Sequence, residues 1–355
     1  MNQKELYHQS IELLKQLIAT PSFSGEEGNT ALLISSWLET ANVDVNRFKN
    51  NIWAKNKYFD ESKPSLLLNS HHDTVKPNKA YTNAPFEPLD DGTTLHGLGS
   101  NDAGGSLVAL LAVFTHFYPL KNLAYNVIIA ATAEEENSGP NGLNQLMQFL
   151  PPIDFAIVGE PTQMQLAVAE KGLIVIDASA KGIPGHAAHN NTINPIAIAL
   201  DDIQLIHRCQ FPKTSEFLGD VKLSVTQIQA GEQHNVVPAQ CQYVIDVRVN
   251  EHYSNQEIFQ EIDQCTKSEL KARSFKHNSS SISLDHPIVK AGLALGRKTY
   301  GSPTLSDQAV LTCPSLKMGP GNSKRSHQAN EYIYLAEIEE GIHLYIQILN
   351  QLLLP

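Results

Sequence analysis

The chain alternates between short apolar runs and segments with helical spacing. Three runs are continuously apolar, as is typical of parallel strands buried on both faces: residues 66–68, 127–131 and 155–158. Apolar residues recur at helical spacing around Ile11 and Leu14, again from Leu32 to Leu38, and along residues 107–117. This alternation predicts an α/β/α domain with a mostly parallel sheet and helices on its faces.

A different pattern covers residues 171–280. Strand-like runs at 173–180, 221–228, 241–249 and 271–275 are interrupted by two helical segments. The first helix opens at Pro195, and Ser254 with Glu257 forms a capping box for the second. The resulting order, βαββαβ, predicts an α+β ferredoxin-like domain.

The first pattern resumes after residue 280, with a strand at 316–318 and a closing helix through Ile338 and Leu349. We therefore expect a catalytic domain made of residues 1–170 and 281–355, with residues 171–280 inserted as a second domain. Two domains suit a chain of 355 residues, because single cores stop growing at about 250–300 residues.

Composition narrows the class of protein. The 26 basic and 37 acidic residues give a net charge of −11 without a basic stripe, so no nucleic-acid partner is expected. No window approaches the ~20 apolar residues of a membrane span, and the polar start lacks a secretory signal, so we expect a cytoplasmic protein. The four cysteines lack C-x-x-C spacing and are expected to be reduced.

Imidazoles and carboxylates follow four of the predicted strands. His71 and Asp73 come after the first strand, the run Glu134–Glu136 after the second, Glu160 after the third, and His327 after the last. Ligand sites in open α/β sheets lie at the carboxyl ends of the strands. Carboxylates among imidazoles are a normal ligand set for zinc, so the sequence predicts a metal site at this edge.

Each of these motifs also has an ordinary interpretation. A His-x-Asp pair is usually on the surface, a run of acids is usually solvated, and Gly-Glu-Pro is usually a turn. Their occurrence at four strand ends favours the metal site. A nucleotide-binding loop is not indicated, because Asp102 occupies the third glycine position of G-x-G-x-x-G.

Over nearly its whole length, the chain resembles the zinc-dependent metallopeptidase family of acetylornithine deacetylases, succinyl-diaminopimelate desuccinylases, aminoacylases and carboxypeptidases. Six motifs carry the resemblance: Ser70-His71-His72-Asp73-Thr74-Val75, Gly97-Leu98-Gly99-Ser100-Asn101-Asp102, Glu134-Glu135-Glu136, Gly159-Glu160-Pro161-Thr162, Gly185-His186-Ala187-Ala188 and His327-Gln328-Ala329-Asn330-Glu331.

The resemblance implies two zinc ions, with cobalt or manganese as an alternative in one site. His71 and Glu160 would bind one ion, Glu136 and His327 the other, and Asp102 would bridge them. Two such ions activate water and polarise an amide carbonyl.

The resemblance also assigns the residues beside the metals. Asp73 would accept a hydrogen bond from the nitrogen of His71 that does not bind metal. Glu135 would be the general base that takes a proton from water and delivers it to the leaving amine. The run of acids leaves a second register open, with Glu134 as base and Glu135 as ligand. A cis peptide bond is expected after Asp102, although the lysine common in the family just after this aspartate is absent here.

Three residues of the inserted domain match family positions at the substrate. His186 would reach the active site of a partner subunit and stabilise the oxyanion, which implies a homodimer formed through the inserted domain. Asn235 and Arg248 match positions that hold the substrate carboxylate. The alternative for Arg248 is an ordinary residue of the sheet surface.

The overall match is with the acetylornithine deacetylase branch, so we expect an N-acyl amino acid as substrate. Lys324 and Arg325 precede His327, where less basic residues are expected in that branch. They are either solvated surface residues or a site for a second carboxylate on the acyl group, which would favour N-succinyl ornithine or citrulline. Succinyl-diaminopimelate, dipeptides and carboxypeptidase substrates also stay open, as does a non-catalytic or metal-free protein on this fold.

Overall fold

The computed structural model describes residues 2–354, and the contacts within it divide the chain into two units. The first unit comprises the chain up to Val168, Ser281–Tyr300, and the chain from Ser306 onward. The second comprises Ala169–Ser280 and Gly301–Leu305. The divisions near residues 168 and 280 lie close to the expected ones, whereas Gly301–Leu305 groups with the second unit instead of the first.

Helices and strands alternate along most of the chain. The described residues contain eight α-helices: α1 (Gln3–Ile18), α2 (Gly28–Thr40), α3 (Gly105–Phe117), α4 (Leu143–Leu146), α5 (Pro195–Arg208), α6 (Asn255–Cys265), α7 (Pro287–Ala294) and α8 (Leu335–Leu353). They also contain eighteen strands: β1 (Asn46–Phe48), β2 (Asn51–Lys55), β3 (Ser65–His71), β4 (Leu89–Asp90), β5 (Thr94–His96), β6 (Asn126–Thr132), β7 (Phe155–Val158), β8 (Leu166–Glu170), β9 (Gly172–Lys181), β10 (Gly185–His186), β11 (Lys222–Ala230), β12 (Val236–Val237), β13 (Gln240–Val249), β14 (Glu269–Ala272), β15 (Ser280–Ser281), β16 (Thr299–Ser302), β17 (Ser315–Lys317) and β18 (Tyr332–Tyr334).

The first unit is built on a mixed sheet. Its strands are neighbours in the order β1-β2-β6-β3-β7-β17-β8. The pairs β3–β6, β3–β7 and β7–β17 are parallel, while the outer pairs are antiparallel. Every residue of β3, β6 and β7 is buried, as expected for strands covered on both faces.

Helices cover this sheet as the apolar pattern predicted, with one difference. Helix α3 contacts β3 and β6 on one side and α1 and α8 on the other, which explains why nearly all of its residues are apolar and buried. Helix α2 buries Thr30, Ala31, Ile34 and Leu38, whereas Leu32 is 55% exposed. The sequence pattern therefore located α2 but assigned Leu32 to the wrong face.

The second unit contains a four-stranded antiparallel sheet in the order β11-β13-β9-β14. With α5 and α6, the chain order is βαββαβ. Alternate residues of β13 are buried against these helices. Helix α5 begins at Pro195 and α6 begins with the capping box of Ser254 and Glu257, both as predicted. The cap of α5, in which Asn194 accepts from the Ile196 N–H, was not predicted. The fold class predicted from the sequence is confirmed.

The last strand of the second unit starts earlier than expected, at Glu269 in place of residue 271. A small antiparallel sheet, β18-β5-β4, was not predicted, because its strands have only two or three residues each. None of the described helices is long and apolar enough to span a bilayer.

Candidate metal centre

The candidate ligands lie at the carboxyl ends of neighbouring strands. His71 is the last residue of β3, Glu136 follows β6, and Glu160 follows β7 by two residues. Asp102 lies in the helical turn Ser100–Gly104, just before α3. His327 follows the short helical turn after β17. Because β6, β3, β7 and β17 are adjacent, these five side chains converge at one edge of the sheet.

One half of the cluster surrounds His71. Its Nε2 atom lies 3.3 Å from Oδ1 of Asp102 and 3.7 Å from Oε1 of Glu160. The imidazole is 1% exposed, and the two carboxylates are 12% exposed. A nitrogen and two carboxylate oxygens thus face one another in a nearly enclosed space.

The other half surrounds His327. Its Nε2 atom lies 3.0 Å from Oε2 of Glu136 and 3.5 Å from Oδ2 of Asp102. The two oxygens of Asp102 therefore face different imidazoles, which is the arrangement a bridging carboxylate requires. Ligand atoms of His71, Asp102 and Glu136 all lie within 4.8 Å of one another.

The donor set fits two divalent cations. Three carboxylates and two imidazoles provide the hard and borderline ligands that zinc, cobalt and manganese accept. Burial raises the pKa of Glu160 to about 8, and the hydrogen bond with Glu136 is the main cause that raises the pKa of His327 to about 9. Crowded carboxylates thus hold protons here, and bound cations would replace those protons.

Asp73 supports the cluster through more contacts than predicted. The Nδ1 atom of His71 lies 3.0 Å from the backbone oxygen of Asp73 and 3.4 Å from its carboxylate. The carboxylate accepts hydrogen bonds from the Ser24 hydroxyl (2.7 Å) and from the backbone N–H groups of Glu135 and Glu136 (3.1 Å each). Asp73 thus orients His71 and the acid run together. The peptide bond between Asp102 and Ala103 is cis, as predicted.

The three consecutive glutamates have three different environments. The carboxylate of Glu134 accepts hydrogen bonds from the backbone and side chain of Asn141 (3.0 and 2.8 Å). Glu136 contacts His327. The carboxylate of Glu135 accepts no hydrogen bond from the described part of the chain. Burial raises the pKa of Glu135 well above its usual range, and the charges of Glu160 and Asp307 add to this. The geometry agrees with the register in which Glu135 is the free acid.

Two of the predicted substrate residues lie together in the second unit. His186 and Val236 are paired between β10 and β12, and the Asn235 carbonyl accepts from the Ala187 N–H. The Nδ1 atom of His186 accepts from the Ala188 N–H, and its ring lies 5.5 Å from that of His189. His186 and Asn235 are both exposed.

Arg248 is not near them. It lies at the far end of β13 from Gln240, and eight residues of strand span roughly 26 Å. Its guanidinium donates to both oxygens of Asp246 on the same face of the sheet (2.8 and 3.1 Å). The structure therefore does not bring Arg248 and Asn235 together within the second unit. The pairing of Arg248 with Asp246 suits the sheet-surface alternative, and a role of Arg248 at the substrate stays a prediction.

Arg325 is held by side chains at the start of α8 and in β18. It donates two hydrogen bonds to Glu337 (2.6 and 3.0 Å), and its guanidinium lies 4.8 Å from the ring centres of both Tyr332 and Tyr334. This arrangement anchors the His327 segment to the start of α8. Its neighbour Lys324 is exposed.

Two buried acids near the cluster were missed. Asp307 accepts from the Thr132 hydroxyl (2.6 Å) and, with the amide of Asn69 oriented to satisfy both neighbours, from Asn69 (3.1 Å). Burial raises the pKa of Asp307 to about 6. Glu27, which is fully buried, accepts from the Glu134 N–H (3.1 Å). Neither follows an apolar strand, so the pattern that predicted the candidate ligands could not indicate these two acids.

The fold and the acid–imidazole cluster together define a metallohydrolase. The chain matches the profile of peptidase family M20/M25/M40 over residues 67–351 and belongs to this family. The chain is therefore a hydrolase of the peptidase and deacylase class, and a dinuclear metal site is the family's arrangement.

Several curated relatives align over almost the full length of the chain. Succinyl-diaminopimelate desuccinylase 2 of Ruegeria sp. is 24% identical over 96% of this chain and 94% of its own length. Acetylornithine deacetylase of Proteus mirabilis is 26% identical over 96% of each chain. The [LysW]-lysine/[LysW]-ornithine hydrolase of Saccharolobus solfataricus is 27% identical over 99% of each.

Solved structures share the fold. An M20 family metallo-carboxypeptidase from Sulfolobus solfataricus superimposes with a TM-score of 0.75 at 17% identity, covering 97% of this chain and 98% of that one. A dinuclear metal-binding M20 peptidase from Bacillus subtilis gives a TM-score of 0.74 at 17% identity, covering 98% of each chain.

Proposed function

We propose that the protein is a two-zinc amidohydrolase that removes the acyl group from an N-acyl amino acid, with acetylornithine as the first candidate substrate. The observation that carries the reaction type is the placement of Glu135. Its carboxylate is free of hydrogen bonds from the described residues, while the adjacent Glu136 contacts His327. A proton-transfer group needs this freedom beside a set of fixed ligands.

The protein's own residues then divide the work. In the proposal, His71 and Glu160 would hold one cation, Glu136 and His327 would hold the other, and Asp102 would offer an oxygen to each. Bound zinc supplies Lewis-acid polarisation of the amide carbonyl and lowers the pKa of water.

The residues beside the metals complete the reaction. Glu135 takes a proton from the attacking water and delivers it to the nitrogen of the leaving amine. Asp73 keeps Glu135 and Glu136 in place through their backbone N–H groups.

His186 and Asn235 are proposed to meet the substrate, with His186 acting on the active site of a partner subunit in a homodimer. The support is the surface around them. Ile183, Ile193 and Val236 are 44–50% exposed, and the first two are bridged to each other near His186. Exposed apolar side chains beside an exposed histidine suit a surface that a second copy covers. Gel filtration with a His186→Ala variant tests this: turnover should fall with the dimer intact.

For the acyl group, we propose acetyl before succinyl. A succinyl group needs a free cation for its second carboxylate. Arg325 is already paired with Glu337, which supports acetyl, whereas exposed Lys324 keeps the succinyl alternative open to test. Among the relatives described above, both a desuccinylase and a deacetylase occur, so their names do not decide. Turnover of N-acetyl and N-succinyl forms of ornithine, citrulline and diaminopimelate should be compared on zinc-restored enzyme, alongside a panel of dipeptides. Preference for a succinyl form or for dipeptides would overturn acetylornithine as the substrate.

The register of the acid run can be tested with two matched variants. Glu135→Gln should lower kcat by about 10²–10⁴-fold with both zinc ions retained, because it removes proton transfer without changing shape. Glu134→Gln changes the neighbouring acid, whose carboxylate accepts hydrogen bonds from Asn141 alone among the residues that the structure describes. Glu134→Gln should keep kcat within about tenfold of the wild type, because the proposed proton-transfer residue Glu135 is unchanged. The opposite ranking would establish Glu134 as the base.

A further inference from the structure

Glu331 is a buried acid for which the proposed mechanism has no use. It lies four residues after His327 and is 2% exposed. Its Oε1 atom accepts hydrogen bonds from the backbone N–H groups of Asn101 and Asp102, both at 2.8 Å. Its Oε2 atom accepts from the N–H of Gly99 at 3.1 Å. One carboxylate thus receives three backbone donors from the loop that carries the bridging aspartate.

The backbone near Glu331 reinforces the same connection. The Gly97 N–H donates to the Glu331 carbonyl at 3.0 Å, and β18 continues the pairing along β5. The side chain of Asn330 accepts from the N–H groups of Thr82 and Asn83 (3.0 Å each). The segment that bears His327 therefore also holds the Asp102 loop and a second neighbouring loop.

We propose that Glu331 is a positioning residue that fixes Asp102 between the two metal sites and couples its placement to that of His327. The inference rests on the ligand set of the proposed function. Three backbone N–H groups of one loop have this side chain as their hydrogen-bond acceptor, and a donor left without its acceptor in a buried site is costly. A loop held by three such hydrogen bonds keeps the aspartate oriented whether or not cations are bound.

Glutamine and aspartate each fail at this position for a distinct reason. Glu331→Gln places an amide NH₂ where one oxygen now accepts, so at least one buried loop N–H loses its partner. Glu331→Asp keeps the carboxyl group but is one methylene shorter, so its oxygens move away from the three donors. Both variants should loosen Asp102 without replacing any proposed metal ligand.

A matched control exists in the second unit. Asp202 is a fully buried carboxylate that accepts from the backbone N–H groups of Lys267 and Ser268 (2.9 and 2.8 Å). Asp202→Asn perturbs the same kind of contact in a unit that contains none of the proposed metal ligands. It separates a general loss of stability from a loss of metal geometry.

The test uses the full chain loaded with Co²⁺, whose visible absorption reports coordination geometry. Glu331→Gln and Glu331→Asp should weaken cobalt binding by about 10–100-fold, as changes behind metal ligands commonly do, and should alter the spectrum. Their kcat should fall more than KM rises, since the reacting geometry changes more than substrate binding. Asp202→Asn should lower the melting temperature and leave the spectrum unchanged.

Wild-type cobalt affinity and spectrum in both Glu331 variants would overturn the inference, even if they melt earlier. Hydrogen exchange on the wild-type protein covers the case in which neither variant folds. Amides of residues 99–102 should remain protected after metal removal, and free exchange there would show that the cations and not Glu331 hold the loop. A metal-loaded wild type inert toward every N-acyl amino acid would overturn the deacylase proposal alone.

Discussion

Metal removal should give the protein an unusual dependence of stability on pH. In the metal-free cluster, burial raises the pKa of Glu160 from 4.5 to about 8, and the pKa of His327 is raised from 6.5 to about 9. A group whose pKa is higher in the folded state binds more protons folded than unfolded. Its stabilising contribution is complete below the unfolded pKa and is lost as pH rises through the folded pKa. Both groups therefore make the metal-free protein progressively less stable as pH rises from 6 to 8.

Glu160 sets the scale of the effect. A pKa difference of one unit corresponds to about 1.4 kcal/mol in the free energy of unfolding. The range from pH 6 to 8 lies between the unfolded and the folded pKa of Glu160, so stability falls through nearly all of this range. The expected loss is roughly 2 kcal/mol in the free energy of unfolding, which is roughly 4 °C in melting temperature. His327 adds in the same direction, but its side chain is 55% exposed and solvent screens it. Burial lowers the pKa of His72 from 6.5 to about 4. His72 therefore changes stability in the opposite direction, but mainly at pH values below 6.5.

The measurement is thermal unfolding followed by circular dichroism at pH 6, 7 and 8, with and without zinc. The metal-free protein should melt progressively earlier as pH rises, and zinc should remove most of this slope because it holds Glu160 ionised. Glu160→Gln should reduce the metal-free slope, and the part that remains comes from His327 and Glu331, whose pKa values are also raised. A metal-free protein whose stability is constant or rises from pH 6 to 8 would refute the reasoning, as would equal slopes with and without zinc.

Three further predictions concern neighbouring residues. His327→Ala should reduce the zinc content from two ions to about one by elemental analysis, and retention of both would remove it as a ligand. Asp307→Asn should stabilise the metal-free protein at pH 7.5 by about 2–3 kcal/mol in urea unfolding. Burial raises the pKa of Asp307 from 3.8 to about 6, so its charge is costly at this pH, and asparagine can still accept the hydrogen bond from Thr132. A loss of stability would contradict this. Arg325→Ala should lower stability by about 1–3 kcal/mol by leaving Glu337 unpaired, with the ratio of N-acetyl to N-succinyl turnover unchanged. A changed ratio with unchanged stability would restore Arg325 as a specificity residue.

The sequence predicted the ligand edge because one physical rule generates it. Buried parallel strands must be short and apolar, so an acid or imidazole directly after such a run lies at the carboxyl end of a sheet. His71 is the last residue of β3, and Glu136 and Glu160 lie four and two residues after the ends of β6 and β7. The same rule predicts their convergence, since these three strands are adjacent.

The rule does not predict residues whose position near the site depends on loops or on pairing between distant parts of the sequence. Arg248 lies on an alternating strand, and only the register of β13 with its neighbours shows that it is far from Asn235 and paired with Asp246. Arg325 carries the same charge as a substrate-binding arginine. Its pairing with Glu337 depends on how α8 packs, which no local pattern records.

Backbone geometry, and not composition, distinguishes the three consecutive glutamates. Glu134, Glu135 and Glu136 are chemically identical, so no property of the side chains assigns their roles. Their N–H groups do: the first donates to Glu27, and the next two donate to Asp73. Glu134 also has a positive φ of 58°, which turns the chain at the start of the run. Two buried carboxylates distant in sequence therefore decide which glutamate faces Asn141, which contacts His327, and which has a carboxylate that accepts no hydrogen bond from residues 2–354.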